Sequence, residues 1–344
     1  VTRRRSDEND VRTRPGRGSR PRTKQRPEHA DAERALVTGV DRGRYTLLVG
    51  DADPRAVLAM KARELGRQRV VPGDRVDVVG DTTGRDGTLA RIVRIAERTT
   101  VLRRTADDTD PVERVIVANA DQLVVVTALA DPLPRTRMID RCVVAAYDAG
   151  MDVLLCLTKA DLADPAPLVE QYSPIGVDVV VVGRRADETT LDGLAEVRTR
   201  LVGRTSVLVG HSGVGKSTLV NALVPAADRA TGVVNDVTGR GRHTSSSAVA
   251  LPLPGGAGWV IDTPGVRSFG LAHVRTEHLL AAFEDLAAVA EEQCPRGCTH
   301  TADAPDCALD AWVEVAPEGS PERAARSVRL DSLRRLLGAR GGDA

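Results

Sequence analysis

Gly210-His211-Ser212-Gly213-Val214-Gly215-Lys216-Ser217-Thr218 decides how this chain is read. It follows the apolar run Ser206–Val209 and opens a helical pattern through Leu223, the strand–loop–helix setting that a phosphate loop requires. Its glycines let backbone N–H groups turn inward onto phosphates, and the helix N-terminus adds positive potential there. Lys216 is placed to reach the β- and γ-phosphates, and the Ser217 hydroxyl to ligate Mg²⁺. A glycine-rich turn without chemistry accounts for the glycines alone, not for the whole pattern between strand and helix.

Downstream, Ile261-Asp262-Thr263-Pro264-Gly265 ends another apolar run. An acid there fits the Mg²⁺ ligand of such sites, acting through water, and the Gly265 N–H could bond a γ-phosphate. Asp-Thr-Pro-Gly by itself is an ordinary turn. About 50 residues after a phosphate loop, it reads as the second half of the site. Upstream, Thr158-Lys159-Ala160-Asp161 ends the run Val153–Leu157 and resembles the Asn-Lys-x-Asp base-recognition motif of GTPases, with Thr158 in place of Asn. The Asp161 carboxylate could accept from both N1–H and the exocyclic amine of guanine. Adenine lacks that amine and turns an acceptor toward the carboxylate, a mismatch that discriminates by orders of magnitude. The Lys159 stem would pack along the base.

Around these motifs, strands read at Gln122–Ala128, Val153–Leu157, Val177–Val182, Ser206–Val209, Ala248–Leu253 and Trp259–Ile261, alternating with helix-like segments. That is a parallel α/β sheet with crossovers. Helices follow at Thr276–Gln293, Cys307–Ala316 and Pro321–Leu337, the last with Ser320 as N-cap and Pro321 at its first position. In front lie short apolar runs split by turns: Ala35–Val40, Tyr45–Val49, Arg75–Val79 and Leu89–Ile95. They predict a small all-β barrel, and a five-stranded OB-type barrel fits the length. The expected layout is multidomain: a disordered basic tail over 1–32, the OB-fold barrel over 33–105, an α/β phosphate-loop domain over 106–275 and a helical zinc-binding domain over 276–344.

At 344 residues, 42% hydrophobic and 28% charged, the chain is too apolar for wholesale disorder. Its longest apolar runs, such as Leu123–Val126 and Val177–Val182, are far short of the roughly 20 residues a membrane helix needs. The start, Val1-Thr-Arg-Arg-Arg-Ser-Asp-Glu, has no apolar core of a signal peptide, so a cytoplasmic location without membrane attachment is expected. Zero net charge hides an imbalance: residues 1–105 sum to +10 and the remainder to −10. A basic front end fits a polyanionic partner. Tyr45 is the sole aromatic between residues 31 and 105, so contacts there should go to backbone and shape rather than to stacked bases. Of 48 basic residues only Lys24, Lys61, Lys159 and Lys216 are lysines, and two of these sit in the strongest motifs.

Cys294-x3-Cys298-x-His300-x6-Cys307 gathers three of five cysteines within fourteen residues. Cys₃His is a structural zinc set, and four protein ligands leave no open position for catalysis. The remaining Cys142 and Cys156 lie in apolar stretches and read as buried small hydrophobes.

Base recognition precedes the phosphate loop, whereas Ras-like GTPases have it after, so the chain looks like a circularly permuted GTPase. With a barrel in front, Ala118-Asn119-Ala120-Asp121-Gln122 entering the first sheet strand, the stretch Gly239–Ser247, the segment Asp262–Gly270 and the Cys/His cluster behind, it resembles the RsgA family of small-ribosomal-subunit-dependent GTPases over roughly residues 33–337. The resemblance implies that Gly210–Thr218 and Thr158–Asp161 bind GTP and that Thr244 is the switch threonine on Mg²⁺. Val266 stands where Ras-like enzymes place a water-orienting glutamine and cannot hydrogen-bond water. By resemblance His243 is the catalytic candidate for that role, and Gly183 could offer its N–H to the base. The implied partners are GTP/GDP and the small ribosomal subunit with its rRNA, engaged by a monomer that hydrolyses GTP in a subunit-stimulated way to gate its own release. Two other readings stay open: a nucleotide-gated RNA-binding scaffold, and a permuted GTPase serving another ribonucleoprotein.

Overall fold

Seven consecutive buried residues, Gln122–Ala128, belong in the middle of a sheet covered on both faces. A computed structural model describes residues 29–50, 53–104, 114–184, 191–225, 248–263, 269, 271 and 274–340. Residues 1–28 of the expected basic tail therefore lie outside the described residues. The first element, β1 (Glu33–Asp41), begins at the expected end of that tail.

β1 is joined by β2 (Arg44–Val49), β3 (Arg55–Lys61), β4 (Arg75–Gly80) and β5 (Ala90–Ile95). They close in the order β1-β2-β3-β5-β4-β1, antiparallel except for the β3–β5 pair. This is the OB arrangement. Val37, Leu47, Ala59, Val78 and Ile92 fill the barrel with no exposed surface. A hairpin of β6 (Val101–Arg104) and β7 (Arg114–Ala118) leads out of it. At the junction Gly73 has φ +87°, and a Cβ there would lie 2.0 Å from the Ala118 carbonyl oxygen, so only glycine fits. Asn119 locks the same corner: its Nδ2 donates to the Gly73 carbonyl (2.9 Å), and its Oδ1 accepts from the Thr99 N–H (2.9 Å).

The α/β part then runs β8 (Gln122–Ala128), α1 (Thr136–Asp148), β9 (Asp152–Thr158), α2 (Ala166–Tyr172) and β10 (Asp178–Val181). A short ladder of β11 (Gly183–Arg184) and β12 (Leu191–Asp192) follows, then α3 (Leu194–Leu201), β13 (Arg204–Gly210), α4 (Lys216–Leu223), β14 (Val249–Pro252) and β15 (Gly258–Asp262). The sheet order is β10-β9-β8-β13-β15-β14, parallel through β15 with β14 antiparallel. The chain travels outward from β8 to β10 and returns to β13 on the other side of β8. That reversal opens a crevice beyond the carboxyl ends of the strands, where ligands of such sheets bind. One rung, Gly39 on β1 opposite Val249 on β14, continues this sheet into the barrel.

Alternate residues supply the two faces. Leu123 and Val125 of β8 enter one core and Val124 and Val126 the other. The first core continues into α5 (Thr276–Ala281), α6 (Glu284–Gln293), α7 (Ala308–Glu314) and α8 (Pro321–Arg340). The single helix expected over Thr276–Gln293 breaks at Ala282-Phe283, where the Phe283 ring turns fully into that core. Ser320 caps α8, its Oγ accepting from the Arg323 N–H at 3.1 Å. Leu330, Leu333, Leu336 and Leu337 of α8 share one apolar cluster with Ile139 and Val143 of α1, so no seam in the core separates the helical segment from the sheet. Among the described residues no helix is long and apolar enough to cross a membrane.

Candidate nucleotide site and metal cluster

β13 ends in register with β8. Gly210 pairs with Val126, and a Cβ on Gly210 would come within 2.6 Å of the Val126 carbonyl oxygen. Gly213 and Gly215 take φ of +85° and +89°, turning the loop back to start α4 at Lys216. Lys216 and Ser217 thus stand in the first turn of α4, with Gly215 as N-cap. The Lys216 ammonium is bonded to the Asp262 carboxylate at the end of β15. The buried Thr263 hydroxyl donates to the Leu208 carbonyl (2.7 Å) and pins that end of β15 beside β13. The phosphate loop and the Asp262 motif, 46 residues apart, form one site.

The base motif arrives from the other flank of β8. Ala128 pairs with Thr158, and Thr158 Oγ1 lies 2.6 Å from the Val214 carbonyl and 3.2 Å from that of Thr127. The buried hydroxyl donates to the nearer, so the threonine standing in place of Asn ties the base motif to the phosphate loop. Lys159 adopts a left-handed φ of +57°, and its ammonium is bonded to the Asp131 carbonyl. Ala160 donates its N–H to the Val182 carbonyl (3.2 Å), and Asp161 Oδ1 accepts from the Arg184 N–H (3.1 Å). Gly183 adjoins them, a Cβ there falling 3.7 Å from Asp161 Oδ1. Thr158, Lys159, Ala160 and Asp161 therefore converge with Gly210–Thr218 and Asp262. His243, Thr244 and Gly265 lie outside the described residues.

Sequence reasoning missed the loop after β8. Pro132 Cδ packs 3.6 Å from where a Cβ on Gly213 would stand, and Arg135 Nη1 lies 2.9 Å from His211 Nε2. An arginine can only donate, so His211 accepts at Nε2. The signal was available: Asp131-Pro132-Leu133-Pro134 is a turn at the carboxyl end of a parallel strand, where such sheets place their site loops. The Ser217 hydroxyl and the Asp262 carboxylate are hard oxygen donors of the kind Mg²⁺ takes.

Beyond α6, Cys294, Cys298, His300 and Cys307 bring all four ligand atoms within 4.8 Å of one another. Cys294 Sγ and Cys307 Sγ lie 3.7 and 3.8 Å from His300 Nδ1. Tetrahedral zinc with bonds of about 2.3 Å to sulfur and about 2.0 Å to nitrogen puts such atoms roughly 3.6 Å apart. Burial, then the neighbouring Cys298 and Cys294 thiols, push the Cys307 thiol up to about 11. Burial and then the Arg334 charge lower the His300 value, which favours the neutral, ligating imidazole. Arg334 itself is forked onto Asp310 (2.8 and 2.7 Å) and lies 3.4 Å from the His300 carbonyl. Cys142 and Cys156 are buried as expected, their thiols pushed up to about 12 by desolvation.

The model of the RsgA GTPase family matches residues 95–272. A protein of Chlorobaculum tepidum named small ribosomal subunit biogenesis GTPase RsgA is 34% identical over 309 residues, covering 87% of this chain and 97% of its own. One of the same name from Pseudomonas aeruginosa is 41% identical over 202 residues, 56% of this chain and 57% of its own. Among solved structures, YjeQ from Thermotoga maritima superposes with a TM-score of 0.64 at 23% identity, over 91% of this chain and all of that one. YloQ, described as a circularly permuted GTPase, gives 0.59 at 22% identity, over 90% and 98%. The two structures share the fold, and the match to the first relative spans nearly its whole length. This chain belongs to the RsgA family and is a circularly permuted GTPase that hydrolyses GTP.

Proposed function

We propose that the chain hydrolyses GTP as a maturation factor of the small ribosomal subunit, and that hydrolysis gates its release from that particle. The observation that supports this reading is the Thr158–Val214 hydrogen bond beside the Lys216–Asp262 pair, which joins the end of β9 to the loop after β13 across β8. GTP would lie with its phosphates on the amides of Gly210, His211, Ser212, Gly213, Val214 and Gly215, and with guanine on Asp161, flanked by Thr158, Lys159 and Ala160. Lys216 would exchange Asp262 for β- and γ-oxygens, and Thr218 would continue the first turn of α4. Ser217, Asp262 and Thr244 would hold Mg²⁺, which neutralises charge shared by the β- and γ-phosphates. Gly265 would donate to the γ-phosphate, and His243 would orient the attacking water in place of the glutamine that Val266 replaces. Loops ordered by the γ-phosphate would be released on hydrolysis.

Cys294, Cys298, His300 and Cys307 would hold one structural Zn²⁺. The names of the relatives and the +10 charge of the first 105 residues support the small subunit and its rRNA as partners of a cytoplasmic monomer. The test is GTP turnover with and without purified small subunits, with zinc measured on the same sample. Turnover should be slow alone and rise at least tenfold with subunits. Equal turnover in both conditions removes the ribosomal role, and equal titration by ATP and GTP removes the base assignment.

A further inference from the structure

The last helix reaches the Cys/His cluster through the side chain of Arg334, which is 17% exposed. Its Nη1 and Nη2 donate to the two carboxylate oxygens of Asp310 (2.8 and 2.7 Å), and its Nε donates to the carbonyl of His300 (3.4 Å). The Cys307 thiol also lies against this guanidinium. Asp310 stands in the first turn of α7, whose N-cap is Cys307, and its N–H donates to the Cys307 carbonyl (3.2 Å). Arg334 therefore ties the residue that carries one ligand to the helical turn that carries another.

The loop between these ligands needs such a tie. His300 has φ +57°, and Asp306, next to Cys307, has φ +54°. A residue other than glycine enters this left-handed region at a cost, and holds it only where its surroundings fix it. A guanidinium is planar, so the donors aimed at Asp310 and the donor aimed at the His300 carbonyl keep one fixed relation. His300 and Cys307 are 8% and 6% exposed, so a shift of either ligand has to be made against packed neighbours. We propose that Arg334 is a positioning residue for the metal cluster: from α8 it sets His300 and Cys307 relative to each other, so that the four ligands stand in place before the ion arrives. The inference rests on reading Cys294, Cys298, His300 and Cys307 as a zinc site. Partners that orient metal ligands in this way typically change affinity about 10- to 100-fold when they are replaced.

The test is zinc affinity of the full chain, read by competition with a chromophoric chelator, together with the visible absorption of the protein loaded with Co²⁺. Arg334→Gln should weaken zinc about tenfold or more. At saturating Co²⁺ it should also change the intensity of the tetrahedral bands by at least about a quarter, a signature of altered ligand geometry that a simple loss of stability does not produce. Asp310→Asn loosens the fork while keeping the guanidinium; it should weaken zinc at least about threefold, and it serves if Arg334→Gln does not fold. Arg326 is the control. It too joins α8 to α7, lying 4.7 Å over the Trp312 ring with its Nη1 donating to the Trp312 carbonyl (2.6 Å), but it stands eight residues before Arg334. Arg326→Gln should leave zinc affinity within about twofold and the Co²⁺ bands unchanged. Zinc affinity within twofold of the unaltered protein in both Arg334→Gln and Asp310→Asn overturns the proposal. Equal weakening by Arg326→Gln overturns it as well, because general packing of α8 would then account for the effect. Failure of the unaltered protein to bind zinc is a separate result, which sinks the metal reading and this inference with it.

Discussion

Thr158→Val keeps the shape of a buried side chain and removes one hydroxyl. That hydroxyl lies 2.6 Å from the Val214 carbonyl, and both residues are almost fully enclosed. Losing a neutral hydrogen bond and leaving a buried carbonyl unpaired costs roughly 1–3 kcal/mol. The bond joins a loop that meets the base to a loop that meets the phosphates, so part of the loss should fall on a ligand that bridges both. If ~1–2 kcal/mol does, affinity for GTP and GDP drops about 5- to 30-fold. Tripolyphosphate touches only the phosphate loop, and its affinity should change less than twofold. Thr158→Ser restores the hydroxyl and should restore nucleotide affinity to within about threefold. Titration of a fluorescent guanine nucleotide, with tripolyphosphate as competitor, reads both numbers, and denaturant unfolding reads the stability loss. Equal weakening of GTP and tripolyphosphate would show that Thr158 supports the phosphate loop alone, and an effect below twofold on GTP would refute its role as a joint.

Asp161→Asn presents a mixed donor and acceptor where guanine needs an acceptor on both edges, so the preference for GTP over ATP should fall at least ~100-fold in paired titrations. Cys298→Ser should bring the metal content close to zero by elemental analysis and lower stability by ~3 kcal/mol or more, several degrees in Tm. Asp285 gives a pH dependence. Burial raises its carboxyl, but the Arg329 guanidinium 2.5 Å away, together with the backbone N–H groups of Leu286 and Asp285, outweighs burial and holds the carboxyl below its ordinary value. A depressed carboxylate contributes stability that is complete above the unfolded value, near 4, and lost as pH falls through the lower folded value. Unfolding free energies measured from pH 5 to pH 2 should therefore fall less steeply in Asp285→Asn, and identical slopes would contradict this.

Most of the sheet was legible because its strands are unbroken β-branched and leucine runs, and Gln122–Ala128 matches residue for residue. The order of the motifs was legible too, since a permutation rearranges segments without altering them. What escaped was non-local or weakly patterned. Strand β3, Arg55-Ala-Val-Leu-Ala-Met-Lys, mixes small and half-exposed residues and shows its alternation only against β2. Barrel closure rests on β1 meeting β4 and on β3 meeting β5 in parallel, pairings that no local pattern encodes. Phe283 breaks a helix that reads as continuous because the core requires its ring. At the site, the pairing of Lys216 with Asp262 depends on register across β13 and β15, and that of Thr158 with Val214 on the turn of the phosphate loop. The scarcity of lysine proved informative at a third position. Lys61 donates to the carbonyls of Gly66 and Gln68, 2.9 and 2.8 Å away, so its ammonium also closes a loop.

The position of β13 has a consequence for how the polypeptide emerges during synthesis. Of the α/β sheet, β8, β9 and β10 leave the ribosome first and can assemble side by side, but the far edge of β8 waits for a strand that begins about 80 residues later. At roughly 5–20 residues per second that edge stays open for on the order of 4–16 s, apolar on both sides and rich in valine. The rotated gene order therefore makes β8 the central strand whose edge stays open on the nascent chain, whereas the Ras-like order, with the phosphate-loop strand made first, leaves the facing edge of that strand open instead.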